Sequence, residues 1–283
     1  MQTQHAEEIT ISTAHLELSG LTWGDVAAQP VLALHGWLDN AASFARLAPL
    51  LSGLRVIALD LPGHGKSQHR PPGAAYHFID YIPIVVQAAN ALSLERFFLL
   101  GHSLGAGIGS IVAAIFPERI HKLALIEGLG PVTAQPAEAP DRLLSSMNKV
   151  FNSSGRELPY YASVNDAVRA RHAVSDMQHN SAEILVKRNI KIVHRGYTWR
   201  TDPKLKIGSP LYMTEQQVAA FLRRITSATL LIRGASSVVP NRQSLARRCR
   251  RVSCIQIIDI PGGHHLHIDN PAPVAHAINT FFA

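Results

Sequence analysis

Short runs of almost wholly apolar residues recur along the chain, and most are followed by a stretch with helical apolar spacing. Val31-Leu32-Ala33-Leu34, Arg55-Val56-Ile57-Ala58-Leu59, Phe97-Phe98-Leu99-Leu100, Leu123-Ala124-Leu125-Ile126, Thr229-Leu230-Leu231-Ile232-Arg233 and Ile255-Gln256-Ile257-Ile258-Asp259 have the length and content of strands. Helical spacing is read over 41–51, with Asn40 or Ser43 as candidate caps, and over 76–93, with Pro83 in the first turn or at a kink. Further helices are predicted across 106–114, 241–250 and 271–282. Ahead of them, Ile9-Thr10-Ile11 and Leu16-Glu17-Leu18 alternate apolar and polar positions, as an antiparallel hairpin does. Repeated strand–helix units predict a parallel sheet with helices on both faces. Residues 130–225 break this rhythm: they open with Pro131, Pro136 and Pro140 and are rich in Arg, His and Ser. The expected organisation is a core made of 1–129 and 226–283, with 130–225 inserted as a cap.

One junction carries chemistry. The run Phe97-Phe98-Leu99-Leu100 leads into Gly101-His102-Ser103-Leu104-Gly105 and then into a small-residue apolar stretch. A serine held in a strained strand-to-helix turn brings its neighbours two before and two after close together, where only glycine leaves room. Its hydroxyl then stands exposed at the sheet edge, above the N–H of Leu104 and the positive end of a helix. Ser103 therefore reads as a nucleophile; a plain turn is the alternative.

Composition narrows the class. At 283 residues and 47% hydrophobic, the chain suits one α/β core with an insertion, and its mean hydropathy of +0.07 is that of an ordinary enzyme. No run approaches the ~18 apolar residues of a membrane helix, and the first eight residues have neither a basic nor an apolar signal region. Two cysteines, Cys249 and Cys254, are too few for a disulfide scaffold, so a cytoplasmic location is expected. The net charge of +7 is densest at Arg247-Arg248-Cys249-Arg250-Arg251, at the end of a predicted helix, where it complements the dipole. No nucleic-acid motif accompanies it. Neither nucleic acid nor membrane is an expected partner, and the protein is expected to be a monomer or homodimer.

Four motifs in order, His35-Gly36-Trp37-Leu38-Asp39-Asn40, Asp60-Leu61-Pro62-Gly63-His64-Gly65-Lys66-Ser67, Gly101-His102-Ser103-Leu104-Gly105 and Gly263-His264-His265-Leu266-His267, resemble the α/β-hydrolase fold. Within it the chain is similar to the serine hydrolase-like proteins, relatives of haloalkane dehalogenases and epoxide hydrolases. The resemblance covers about two-thirds of the chain. It implies a mostly parallel eight-stranded sheet with an inserted helical cap, acyl transfer on a small-molecule acyl substrate without cofactor or metal, and a Ser-His-acid triad. A serine where those relatives carry aspartate excludes their alkyl-enzyme chemistry. The family's His-x-x-His pattern places the base at His264, with His265 and His267 as alternatives.

The acid departs from the usual pattern. Most such hydrolases carry an aspartate in the loop after the penultimate strand, but here that loop reads Gly234-Ala235-Ser236-Ser237-Val238-Val239-Pro240. A carboxylate at the end of the strand beside the nucleophile's lies only ~4.8 Å over. Glu127 stands there and is expected to be the acid, with Asp259 a rival and a surface carboxylate the plain alternative. The oxyanion donors are expected at the N–H groups of Trp37 and Leu104. Trp37, His102, Trp199 and Arg200 are candidate substrate contacts, with an Arg200–Asp202 pair stiffening a turn as the competing reading. His35, His64 and Asp60 read as structural. A ligand-binding protein lacking the triad acid, and a serine enzyme acting on carbon–carbon bonds, thioesters or peroxides, remain alternatives.

Overall fold

The computed structural model describes residues 5–152, 158–237 and 242–283. Of the stretches read above, residues 1–4, 153–157 of the expected cap, and 238–241 lie outside these. The chain opens with the predicted hairpin, β1 (Glu7–Ser12) and β2 (Glu17–Trp23), followed by β3 (Gln29–Leu34) and β4 (Leu54–Leu59). Then come α1 (Tyr81–Ala91), β5 (Phe97–His102), α2 (Leu104–Ile115) and β6 (Ile120–Ile126). The segment after β6 holds α3 (Ala139–Phe151), β7 (Tyr160–Tyr161), α4 (Val164–His172), α5 (His179–Asn189), β8 (Ile190–Val193), β9 (Gly196–Trp199) and α6 (Glu215–Leu222). The core resumes with β10 (Ala228–Gly234), α7 (Arg242–Cys249), β11 (Ile255–Ile260), α8 (Leu266–Asp269) and α9 (Pro271–Phe282).

Eight strands form one sheet in the order β1-β2-β4-β3-β5-β6-β10-β11; the pairs β1/β2 and β2/β4 are antiparallel and the other five parallel. Side chains alternate between the two faces of a strand. Leu32, Leu34, Leu99, Leu123, Leu125 and Leu231 thus join one core layer with α1, α2 and α6. Val31, Ala33, Leu100, Ala124, Ile126, Leu230 and Ile232 join the other with α9. Every residue of β5 is buried, which is why its first four residues form an unbroken apolar run.

Two expectations change. The stretch 41–51 forms two 3₁₀ helices, Ala41–Phe44 and Ala48–Leu50, not one helix; Asn40 caps the first by accepting from the Ala42 N–H at 3.0 Å. Pro49 explains the break, since its ring would collide with the carbonyl four residues back in a continued α-helix. The segment between β6 and β10 is not purely helical, against the helical cap expected there, because β7, β9 and β8 make a three-stranded antiparallel sheet. Strands of two to four residues are too short to show a period. Pro83 falls in the first turn of α1, where its missing N–H costs nothing.

Candidate active site

Ser103 sits between β5 and α2 with φ 51° and ψ −110°, a region that costs a non-glycine residue about 1–3 kcal/mol. Neighbouring backbone holds it there. The Ser103 N–H donates to Ile126 O at 2.9 Å, and the Gly105 N–H to His35 O at 3.1 Å. A Cβ on Gly105 would lie 2.0 Å from Leu34 O, and one on Gly101 2.5 Å from Gly105 O. Both glycines of the motif are therefore required by contact with backbone.

The Ser103 hydroxyl reaches His264 Nε2 at 2.9 Å, and His264 Nδ1 reaches Glu127 Oε2 at 3.2 Å. With the proton assigned to Nδ1, Nε2 is free to accept from the serine. His264 stands in the loop after β11, and neither His265 nor His267 takes its place. His265 pairs with Asp176 Oδ1 at 2.8 Å, and buried His267 shares a hydrogen bond of 2.6 Å with Ser43 Oγ. Asp259 is bound to Arg233 by two bonds of 2.7 Å.

Glu127 directly follows β6, one strand from β5, and is 4% exposed. Its backbone has φ 57° and its N–H donates to Ile232 O at 2.9 Å. The end of β10 and the loop after it, which carry no acid, instead supply donors to this one. The Gly234 N–H gives a bond of 2.5 Å to Oε1, and the Ser237 hydroxyl bonds Oε2. A buried carboxylate needs such partners, because leaving it bare is costly.

Among the described residues, the N–H groups of Trp37 and Leu104 have no backbone acceptor. Leu38 has φ 62°, which bends the chain beside Trp37, and Trp37 is 52% exposed. His35 holds this loop. Its Nδ1–H donates to Gly36 O at 2.7 Å and Nε2 accepts the Leu61 N–H at 3.0 Å, while burial pushes its pKa down to about 4. Asp60 accepts from the Ala41 and Lys66 N–H groups and from Arg188, and His64 is fully buried. All three have structural surroundings, as read.

His102 is placed differently from the expectation of a substrate contact. Its side chain is fully buried, and its Nε2–H donates to the backbone carbonyl of His264 at 2.9 Å. Burial, then the neighbouring histidines, hold its pKa well below the usual value, so it stays neutral. Trp199 donates its indole N–H to Tyr161 Oη at 3.2 Å and packs against the cluster between α4 and α5. Arg200 Nε donates to Ile190 O at 3.0 Å. These contacts stiffen the small sheet. Asp202 meets Tyr76 Oη at 2.7 Å and the Lys204 N–H at 3.0 Å, not Arg200.

Sequence reasoning missed the groups around His264. Asp39, 1% exposed, lies 3.5 Å from His265 Nε2 and takes Arg171 Nη2 at 2.9 Å. Burial pushes the His265 pKa down, but bonds and charge from Asp39 and Asp176 outweigh it and the net shift is upward. Among the described residues, no group of three or more His, Cys, Asp or Glu is arranged to hold a metal ion, and no helix is long and apolar enough to cross a membrane.

Residues 29–271 match the family described as alpha/beta hydrolase fold. A serine hydrolase-like protein of Danio rerio is 29% identical over 292 residues, covering 98% of this chain and 88% of its own length. The crystal structure of the hypothetical protein PA1622 from Pseudomonas aeruginosa PAO1 is 40% identical, with a TM-score of 0.91 and 98% of each chain covered. The thioesterase domain from the curacin biosynthetic pathway is 26% identical, with a TM-score of 0.86, covering 97% of this chain and 99% of its own.

Proposed function

The chain belongs to the α/β-hydrolase fold family, and from that premise we propose that it is a serine hydrolase cleaving carboxylic esters or related acyl compounds. The observation that carries this reading is the continuous chain of hydrogen bonds Ser103–His264–Glu127, at 2.9 and 3.2 Å. Ser103 Oγ attacks the acyl carbon while His264 Nε2 takes its proton. Glu127 holds the Nδ1–H tautomer and stabilises the imidazolium. The oxyanion is received by the N–H groups of Trp37 and Leu104, each such donor being worth roughly a hundredfold to a thousandfold in rate. His264 then protonates the departing oxygen or sulfur, which leaves an acyl-serine. Water attacks that ester with His264 again as base, releasing the acid and restoring the serine.

In this reading residues 130–225 are a cap between core halves 1–129 and 226–283. The ligand-receptor alternative drew on the missing acid after β10; Glu127, bonded by donors from that same loop, supports catalysis instead. Both cysteines are free, which agrees with a reducing compartment. The thioesterase name of one relative places thioesters beside esters among the substrates to try. A panel of p-nitrophenyl esters of graded chain length, with thioesters alongside, tests the proposal. Turnover by the wild type and none by Ser103→Ala is expected, whereas equal rates for the two on every member would overturn it.

A further inference from the structure

The base has little of its own to keep it in place. The His264 side chain is 35% exposed, and it follows Gly262, whose φ is 144°, and Gly263. Yet its ring must stay within hydrogen-bond reach of Ser103 and Glu127 at once. We infer that Asp176, in the inserted segment between α4 and α5, is a positioning residue that holds His264 in register. This rests on the serine-hydrolase reading above.

Asp176 Oδ2 accepts the His264 backbone N–H at 2.8 Å, and Oδ1 accepts from His265 Nδ1 at 2.8 Å. One carboxylate thus ties down two successive residues of the loop. The fit is close, because a Cβ on Gly263 would lie 2.6 Å from Asp176 Oδ2. Gly263 is what lets the carboxylate approach. From the other side, His102 Nε2–H donates to the His264 carbonyl at 2.9 Å. The backbone of His264 is therefore bonded at both its N–H and its C=O, leaving the ring to bridge serine and glutamate.

The same stretch of the insertion is anchored to the core. Arg171, at the end of α4, meets Asp39, which also lies 3.5 Å from His265. Ile268 of α8 is buried among Val168, Met177, Ala182 and Leu185 of the insertion. The position of the base is consequently coupled to the seating of the inserted segment. A displacement of about 1 Å at a reacting group costs up to roughly a hundredfold in rate.

The test compares wild type, Asp176→Ala and Asp176→Asn by the second-order rate at which a fluorophosphonate labels Ser103, with kcat and KM on the best ester. Asp176→Ala should label roughly ten- to a hundredfold more slowly, with the loss in kcat rather than KM. Asp176→Asn keeps an acceptor for the His264 N–H and should recover most of the rate, a rescue that mere loss of stability would not produce. Wild-type labelling by Asp176→Ala overturns the inference and leaves the serine-hydrolase reading standing. An Asn variant as slow as the Ala variant also overturns it. A wild type that does not label at all removes the reading on which it rests.

Discussion

Replacing Glu127 with glutamine changes no volume but inverts the hydrogen-bond chemistry of half the side chain. Oε1 receives the Gly234 N–H and Oε2 receives His264 Nδ1 and the Ser237 hydroxyl. Glutamine has one oxygen for these two places. If its NH₂ faces Gly234, two donors confront each other across a contact that is 2.5 Å in the native protein. If instead the NH₂ faces His264, the ring must turn its lone pair to Nδ1 and carry its proton on Nε2. The second arrangement is the cheaper, because the imidazole can change tautomer and the Gly234 amide cannot. The Nε2–H form cannot take the proton of Ser103. Such a wrong-tautomer change costs roughly ten-thousand-fold in kcat in serine enzymes, or about 5.4 kcal/mol of transition-state stabilisation. The assay is p-nitrophenyl ester hydrolysis by purified Glu127→Gln, with circular dichroism to verify the fold. A folded variant within about tenfold of the wild-type kcat would refute the role given to Glu127.

Two further outcomes are expected. Burial lowers the pKa of His35 to about 4 and of His64 and His267 to about 3, each from 6.5, the nearby His35 also depressing His64. Below pH 6.5 the unfolded chain takes up protons that the folded one refuses, so stability is lost as pH falls toward 4, at roughly 1.4 kcal/mol per pH unit for each histidine. Thermal melts at pH 7.5, 6.5 and 5.5 should show Tm falling; a flat or rising Tm would contradict the burial argument. Gly105→Ala places a methyl 2.0 Å from Leu34 O. Because that atom is backbone, the loss should reach or exceed the upper end of the roughly 1–3 kcal/mol typical of overpacking, measured by urea unfolding. A loss below about 1 kcal/mol would mean the elbow has room to spare.

What could be read in advance follows from how local each signal is. The nucleophile turn was legible because its glycines, strand and helix are contiguous in the chain. The placement of Glu127 beside His264 was legible from topology, since β6 lies beside β5 and its end shares the same sheet edge. His102 was not, because adjacency to Ser103 says nothing about which way a strand-end side chain turns. It turns inward and serves the carbonyl of His264. Asp176 gave no sign at all: its bond to the His264 amide spans 88 residues and starts in a segment without periodicity. The two 3₁₀ helices in 41–51 were obscured by apolar spacing that fits an α-helix, although Pro49 forbids one.

Everything proposed for this protein turns on whether the alcohol at the elbow becomes nucleophilic in solution. Incubation with a fluorophosphonate, followed by peptide mass spectrometry, measures that directly. A single phosphonyl adduct on Ser103, absent from Ser103→Ala and sharply slowed in His264→Ala, is the predicted result. An unmodified Ser103, or an adduct on another residue that persists in Ser103→Ala, would contradict the account.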